Sequence, residues 1–154
     1  MKTKSIFIKM FLLLFFTVII CEDAFSQKGK KYSCPLYKGK ILISSKASQE
    51  WGTKIAQVEI KSRRQEVYSS SLGTIIAVDT TFDKKINIAV QDADYIFVYD
   101  NLLSTKSLVG QKVEKGHILG KLKAGDYLLV RIKNGIDYID PKEILPCKVV
   151  KVNK

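Results

Sequence analysis

The chain has 154 residues, enough for one domain that buries about two thirds of its surface and folds without extra cross-links. Its 26 Lys+Arg against 15 Asp+Glu give a net charge of +11 and a pI near 9.5. The 46% hydrophobic content, with seven Tyr and seven Phe, argues against a disordered tail. The single histidine, His117, excludes every mechanism that gathers several histidines around a metal.

Lys2, Lys4 and Lys9 lead into the apolar run from Met10 to Ile20, and Ala24-Phe25-Ser26 then fits the small-x-small rule for signal peptidase. Residues 1–26 are expected to be a signal peptide, with Gln27 as the mature N-terminus, and the protein to be exported to the periplasm or the cell exterior. An apolar stretch of about 11–12 residues is short for a membrane-spanning helix, so no stable span is expected after cleavage. An uncleaved anchor is the alternative. A lipoprotein reading through Cys21 is weaker, because Val18-Ile19-Ile20 lacks the small residue expected just before a lipidated cysteine.

Cleavage leaves 23 basic and 13 acidic residues, +10 on the mature chain, with residues 27–33 as a basic N-terminal segment. In the cytosol such a charge would suggest nucleic acid. For an exported chain the available polyanions are envelope polymers and lipid headgroups, and no nucleic-acid partner is expected. The plain alternative is a solvated basic surface with no dedicated partner. Cys34 and Cys147 both survive cleavage, and an even pair in an oxidising compartment predicts a disulfide. The alternative is two thiols too far apart to join.

Along the mature chain the dominant period is two. Residues 39–46, 55–61, 73–79, 85–91, 95–100 and 127–133 are short and β-branched, and Ile86, Ile88 and Val90 alternate with Asn87, Ala89 and Gln91 as a half-buried strand requires. Turn signals separate them at Leu72-Gly73, Asp83-Lys84, Val109-Gly110, Lys115-Gly116, Asn134-Gly135 and Asp140-Pro141. No clean helical stripe is present. The pattern predicts one all-β domain over residues 34–150, a two-sheet sandwich or flattened barrel.

Three stretches carry a family resemblance. Val98-Tyr99-Asp100-Asn101-Leu102, followed by Val109-Gly110-Gln111-Lys112-Val113-Glu114-Lys115-Gly116-His117-Ile118-Leu119-Gly120, resembles the lysostaphin/LytM-type peptidases, which read Tyr-x-His-Leu and then Gly-Gln-x-Val-x-x-Gly-x-x-Ile-Gly. Upstream, Lys38-Gly39-Lys40-Ile41, Trp51-Gly52, Val58-Glu59-Ile60, Glu66-Val67-Tyr68-Ser69 and Gly73-Thr74-Ile75 are similar to the family's run through His-x-x-x-Asp to Pro-Val-Tyr-Ala and Gly-x-Val. Downstream, Asn134-Gly135 and Asp140-Pro141 resemble its closing Asn-Gly and Asp-Pro. The likeness covers roughly residues 35–146 and implies the duplicated hybrid motif of that fold. Biotinyl and lipoyl carriers share the glycine-turn repeat, but their modified lysine has no counterpart here.

The resemblance implies a zinc site that these residues cannot build. The family's first two ligands fall on Ile55 and Glu59, and its Tyr-x-His histidine falls on Asn101. The His-x-His pair falls on Tyr127 and Leu129 when anchored on Gly125 and Asp140-Pro141, or on Asp126 and Leu128 when anchored on Asn134-Gly135. The first register is preferred because it puts Leu128, Val130 and Ile132 on the core face. Neither register supplies a histidine. The resemblance thus implies a non-catalytic domain with no cofactor, whose old groove (Glu59, Asn101, Tyr127 and Arg131) would serve to bind an envelope protein, peptidoglycan or an anionic polymer. His117 reads as an exposed turn residue. A carboxylate pair acting without metal, Glu59 with Asp100 or Asp126, is the enzymatic alternative. Glu59 itself is expected to lean to the rim, near Arg131 or a lysine.

Overall fold

The computed structural model describes residues 31–44 and 57–152. The expected signal peptide, the Gln27 start, Trp51-Gly52 and Ile55 lie outside the described residues.

Six strands lie within two residues of their expected places: β1 (Lys40–Ser44), β2 (Gln57–Lys61), β4 (Gly73–Thr80), β5 (Ile86–Gln91), β6 (Ile96–Leu102) and β10 (Leu128–Asn134). The others are β3 (Glu66–Tyr68), β7 (Ser104–Thr105), β8 (Lys112–Val113), β9 (Ile118–Lys121) and β11 (Asp137–Ile139), all of four residues or fewer, and the five-residue β12 (Lys148–Val152). The larger sheet runs β12-β1-β2-β10-β6-β5-β4-β8, with β11 paired to β10, and the smaller runs β3-β9-β7. Among the described residues neither sheet closes on itself, so of the two expected forms the sandwich is the one adopted. All pairs are antiparallel except β1 with β12.

The alternation in sequence becomes a two-faced sheet. On β10 Leu128, Val130 and Ile132 are fully buried, whereas Leu129 and Arg131 between them face outward. On β2 Val58 and Ile60 go inward, and Gln57, Glu59 and Lys61 outward. These inward residues meet Ile88, Val90, Phe97 and Tyr99 of the same sheet and Val67 and Leu119 of the smaller one in a single core. Each large apolar side chain so buried contributes about 1.5–3 kcal/mol. Phe97 packs between Tyr32 and Tyr99, with ring centroids 5.2 and 6.5 Å away. The Tyr99 phenol is fully buried, which pushes its pKa up to about 12, and its oxygen accepts from Ser70 N at 2.8 Å.

The glycine-turn segment owes its residues to backbone demands. Gly110 and Gly116 have φ of +85° and +88°, the left-handed region where a side chain is strained. Gly120 is needed for space, since a Cβ there would lie 2.4 Å from the Ser104 carbonyl oxygen.

One turn signal resolves differently from its expectation. Asp140-Pro141 opens a short helix, α1 (Pro141–Ile144): the Asp140 carboxylate accepts from Lys142 N at 3.0 Å, and Pro141 takes a first-turn position that needs no N–H donor. Just beyond it Cys147 is bonded to Cys34, with Cα atoms 5.0 Å apart. The disulfide expected from compartment is present.

Candidate functional site

The region that the family resemblance assigns to metal chemistry lies on the outward face of β2, β10 and β6. Leu129 pairs with Glu59 on one side and with Asp100 on the other. With strands about 4.8 Å apart, the two carboxylate-bearing positions are ~10 Å from each other, with a leucine between them. Leu42 of β1 pairs with Glu59 from the far side, so a half-buried leucine flanks that carboxylate on each strand edge.

β6 carries the local irregularity that shapes the face. Ile86 pairs with Leu102 and Ile88 with Tyr99, so Asn87 stands opposite two residues, Asp100 and Asn101. This bulge lets Tyr99 and Leu102 both enter the core with two polar residues between them. Asn101 takes φ of +78°, a conformation asparagine tolerates better than most residues. Its amide nitrogen donates to the Tyr127 carbonyl at 2.6 Å, fixing the chain just before β10 enters the sheet. The Tyr127 side chain itself is 37% exposed.

Asp100 is the buried charge of the face, only 7% exposed. Arg131 binds it through Nη2 at 2.7 Å and Nε at 2.9 Å, both to Oδ2. The Asn87 amide, in the orientation that satisfies its neighbours, donates to Oδ1 at 3.2 Å. Arg131 is thus engaged by Asp100, its diagonal neighbour on β6, and the ion pair it makes is with that carboxylate. Coulomb attraction is stronger where water is excluded, and Asp100 is buried whereas Glu59 is exposed. Asp126 is also engaged, 2.8 Å from Lys85 Nζ, and that hydrogen bond holds its carboxyl below the ordinary aspartate range.

Among the described residues no group of three or more His, Cys, Asp or Glu could hold a metal ion. The donor set does not fit zinc: Leu129 has no ligating atom, and Asp100 is bound to a guanidinium. His117 is exposed in the turn before β9, its Nε2 3.3 Å from the Gln111 amide nitrogen. The structure thus brings Glu59, Leu129, Asp100 and Arg131 onto one face and joins Asn101 to Tyr127 at its edge; Ile55 is outside the described residues. The central place of Asp100 and Asn87 was missed in the sequence, although two successive polar residues between Tyr99 and Leu102 break the period of two and mark a bulge.

This architecture has solved counterparts. A chain of the SpoIIQ–SpoIIIAH pore-forming complex is 16% identical with a TM-score of 0.58, over 75% of this chain and 91% of that one. A peptidase M23 from Pseudomonas aeruginosa is 17% identical with a TM-score of 0.57, over 74% of this chain and 50% of that one. Csd3 of Helicobacter pylori is 15% identical with a TM-score of 0.59, over 81% of this chain and 38% of that one. This chain thus spans half or less of the length of the last two. No family model and no curated protein matches the sequence. The chain has the LytM-type peptidase fold, in a degenerate form whose described residues carry no zinc-ligand set.

Proposed function

We propose that this protein is an exported, catalytically inactive LytM-like domain that acts as a binding or regulatory module in the cell envelope, on peptidoglycan or on a cell-wall hydrolase. In this reading residues 1–26 are its signal peptide, 27–33 a basic lead and 34–150 the domain. The observation that carries it is the row Glu59, Leu129, Asp100: a leucine stands between the carboxylates, and the more buried carboxylate is neutralised by Arg131. A peptidase of this fold needs an open metal and an activated water there. The metal-free carboxylate alternative is disfavoured, because Asp100 and Asp126 are both tied to cations and Asp126 is shifted away from proton retention.

Glu59, Asn101, Tyr127 and Arg131 would form the rim of the binding groove, with no catalytic residue among them. The similarity to a chain of the SpoIIQ–SpoIIIAH complex, an assembly between proteins, supports a protein partner. Capture experiments from an envelope extract, at low and high salt, test this. A defined hydrolase or scaffold protein retained in high salt and lost with Tyr127→Ala is the expected result; retention of murein or lipid alone, released by salt, would instead favour an electrostatic polymer binder. Stoichiometric zinc that survives dialysis against chelator, with cleavage of cell-wall peptides, would overturn the reading.

A further inference from the structure

A hollow of about 600 Å³ opens beside the start of β1 and the end of β2, where Lys38, Lys40, Lys61, Arg63 and Arg64 gather around Tyr37. Among the described residues no carboxylate lines it, and none of these cations makes an ion pair. Two features work against placing charges this way. Lys40 and Lys61 are direct cross-strand partners, and like charges so opposed destabilise a sheet pair. Lys38 adopts φ of +50°, a left-handed conformation that a long side chain rarely takes. Such locally unfavourable arrangements persist where the surrounding structure enforces them, and they concentrate at ligand sites.

The surroundings do enforce this one. Ser62 Oγ donates to the Tyr37 carbonyl at 2.6 Å and accepts from Arg64 N at 3.1 Å, tying the two loops together. The Arg64 guanidinium lies 4.1 Å from the Tyr37 ring centroid, which holds it in place. With Arg64 seated there, that ring is not a free platform for a sugar or a base.

We propose that this hollow binds a compact phosphate group carrying two or more negative charges. Five cations favour a multiply charged anion over a lone carboxylate, and guanidinium geometry matches phosphate oxygens. The phosphate could be that of a lipid headgroup or of a soluble molecule. The site is separate from the groove proposed above and does not depend on it.

Titration calorimetry of the purified protein with inorganic pyrophosphate, and co-sedimentation with phosphatidylcholine vesicles containing phosphatidic acid, test it. Lys40→Gln/Arg64→Gln should weaken binding at least about tenfold, while Lys112→Gln/Lys121→Gln, an equal charge change on β8 and β9, should change it by less than about twofold. Lys40→Gln alone should leave the melting temperature unchanged or slightly raised, since it removes the opposed pair. Binding of pyrophosphate identifies a soluble source, and binding of vesicles only identifies a headgroup. Tyr127→Ala should leave either unchanged, so failure of the groove reading and failure of this one are distinguishable. Absence of binding to both probes, or equal weakening by the two double variants, would overturn the proposal.

Discussion

At the scale of single residues, Asp100 sets the character of the outward face. A carboxylate this buried is tolerated because Arg131 and Asn87 supply donors to both oxygens. Removing the guanidinium leaves the charge where it is and deletes its partner, the costly way to break a buried pair. Arg131→Gln should therefore destabilise the fold by about 2–3 kcal/mol, less than for a fully buried pair because Arg131 is partly solvated. Asp100→Asn in the Arg131→Gln background should recover part of that loss, and a double-mutant cycle by urea denaturation measures the coupling. It follows that Arg131 is a poor probe of groove binding, whereas Tyr127→Ala can be read at unchanged stability. A second expectation concerns Lys85. Its hydrogen bond lowers the Asp126 carboxyl in the folded chain, so that contribution is present above the ordinary aspartate pKa and lost as pH falls through the depressed value. Lys85→Gln should move the Asp126 titration upward, observable by carboxyl-carbon NMR.

At the scale of elements, what was legible in the sequence tracks length. Strands of five or more residues with one buried face display their alternation, so β1, β2, β4, β5, β6 and β10 can be placed from sequence, as can the outward setting of Leu129. β3, β7 and β8 have two or three residues, too few to show any period, and they exist because the smaller sheet and the glycine turns present partners to them. β12 is long enough, but its parallel partner β1 lies at the other end of the chain and no local turn announces the pairing. Asp140-Pro141 serves equally as a turn and as a helix start, and the α1 backbone decides between them. The partner of Arg131 was hidden for another reason: Asp100 is its diagonal neighbour on β6, and a period of two shows which face a residue takes but not which strand lies beside it. The glycine-turn segment, by contrast, is legible because its chemistry is backbone chemistry. Gly120 on β9 lies between β3 and β7, and a methyl there meets the backbone oxygen of Ser104, which cannot withdraw without loosening the β7–β9 pair. Gly120→Ala should cost about 1–3 kcal/mol, seen as a lower melting temperature, while the circular dichroism of the folded state stays β-rich.

At the scale of the whole molecule, the two ends of the domain are held at one edge of the larger sheet. Among the described residues β12 pairs only with β1, and β1 in turn bridges β12 to β2. Cys34 precedes β1 and Cys147 immediately precedes β12, so the bond between them anchors this otherwise one-sided strand. The Cα separation of 5.0 Å lies within the usual range for a disulfide. It closes a loop with a sequence separation of 113, for which the loss of chain entropy in the unfolded state corresponds to about 4–5 kcal/mol, an upper figure when the unfolded chain keeps some structure. Reduction, or the double variant Cys34→Ser/Cys147→Ser, should lower the denaturation midpoint substantially. The loss should also be uneven. β5, β6 and β10 are paired on both sides and keep their core whether or not the bond is present, whereas β12 has β1 alone among the described residues. Hydrogen exchange should therefore accelerate first at Lys148–Val152, at denaturant concentrations where the amides of Phe97, Tyr99 and Val130 remain protected. If β12 exchanges no faster after reduction, its pairing with β1 is sufficient by itself and the bond acts on the unfolded chain alone. If the midpoint is also unmoved, the bond contributes nothing to the stability of the domain.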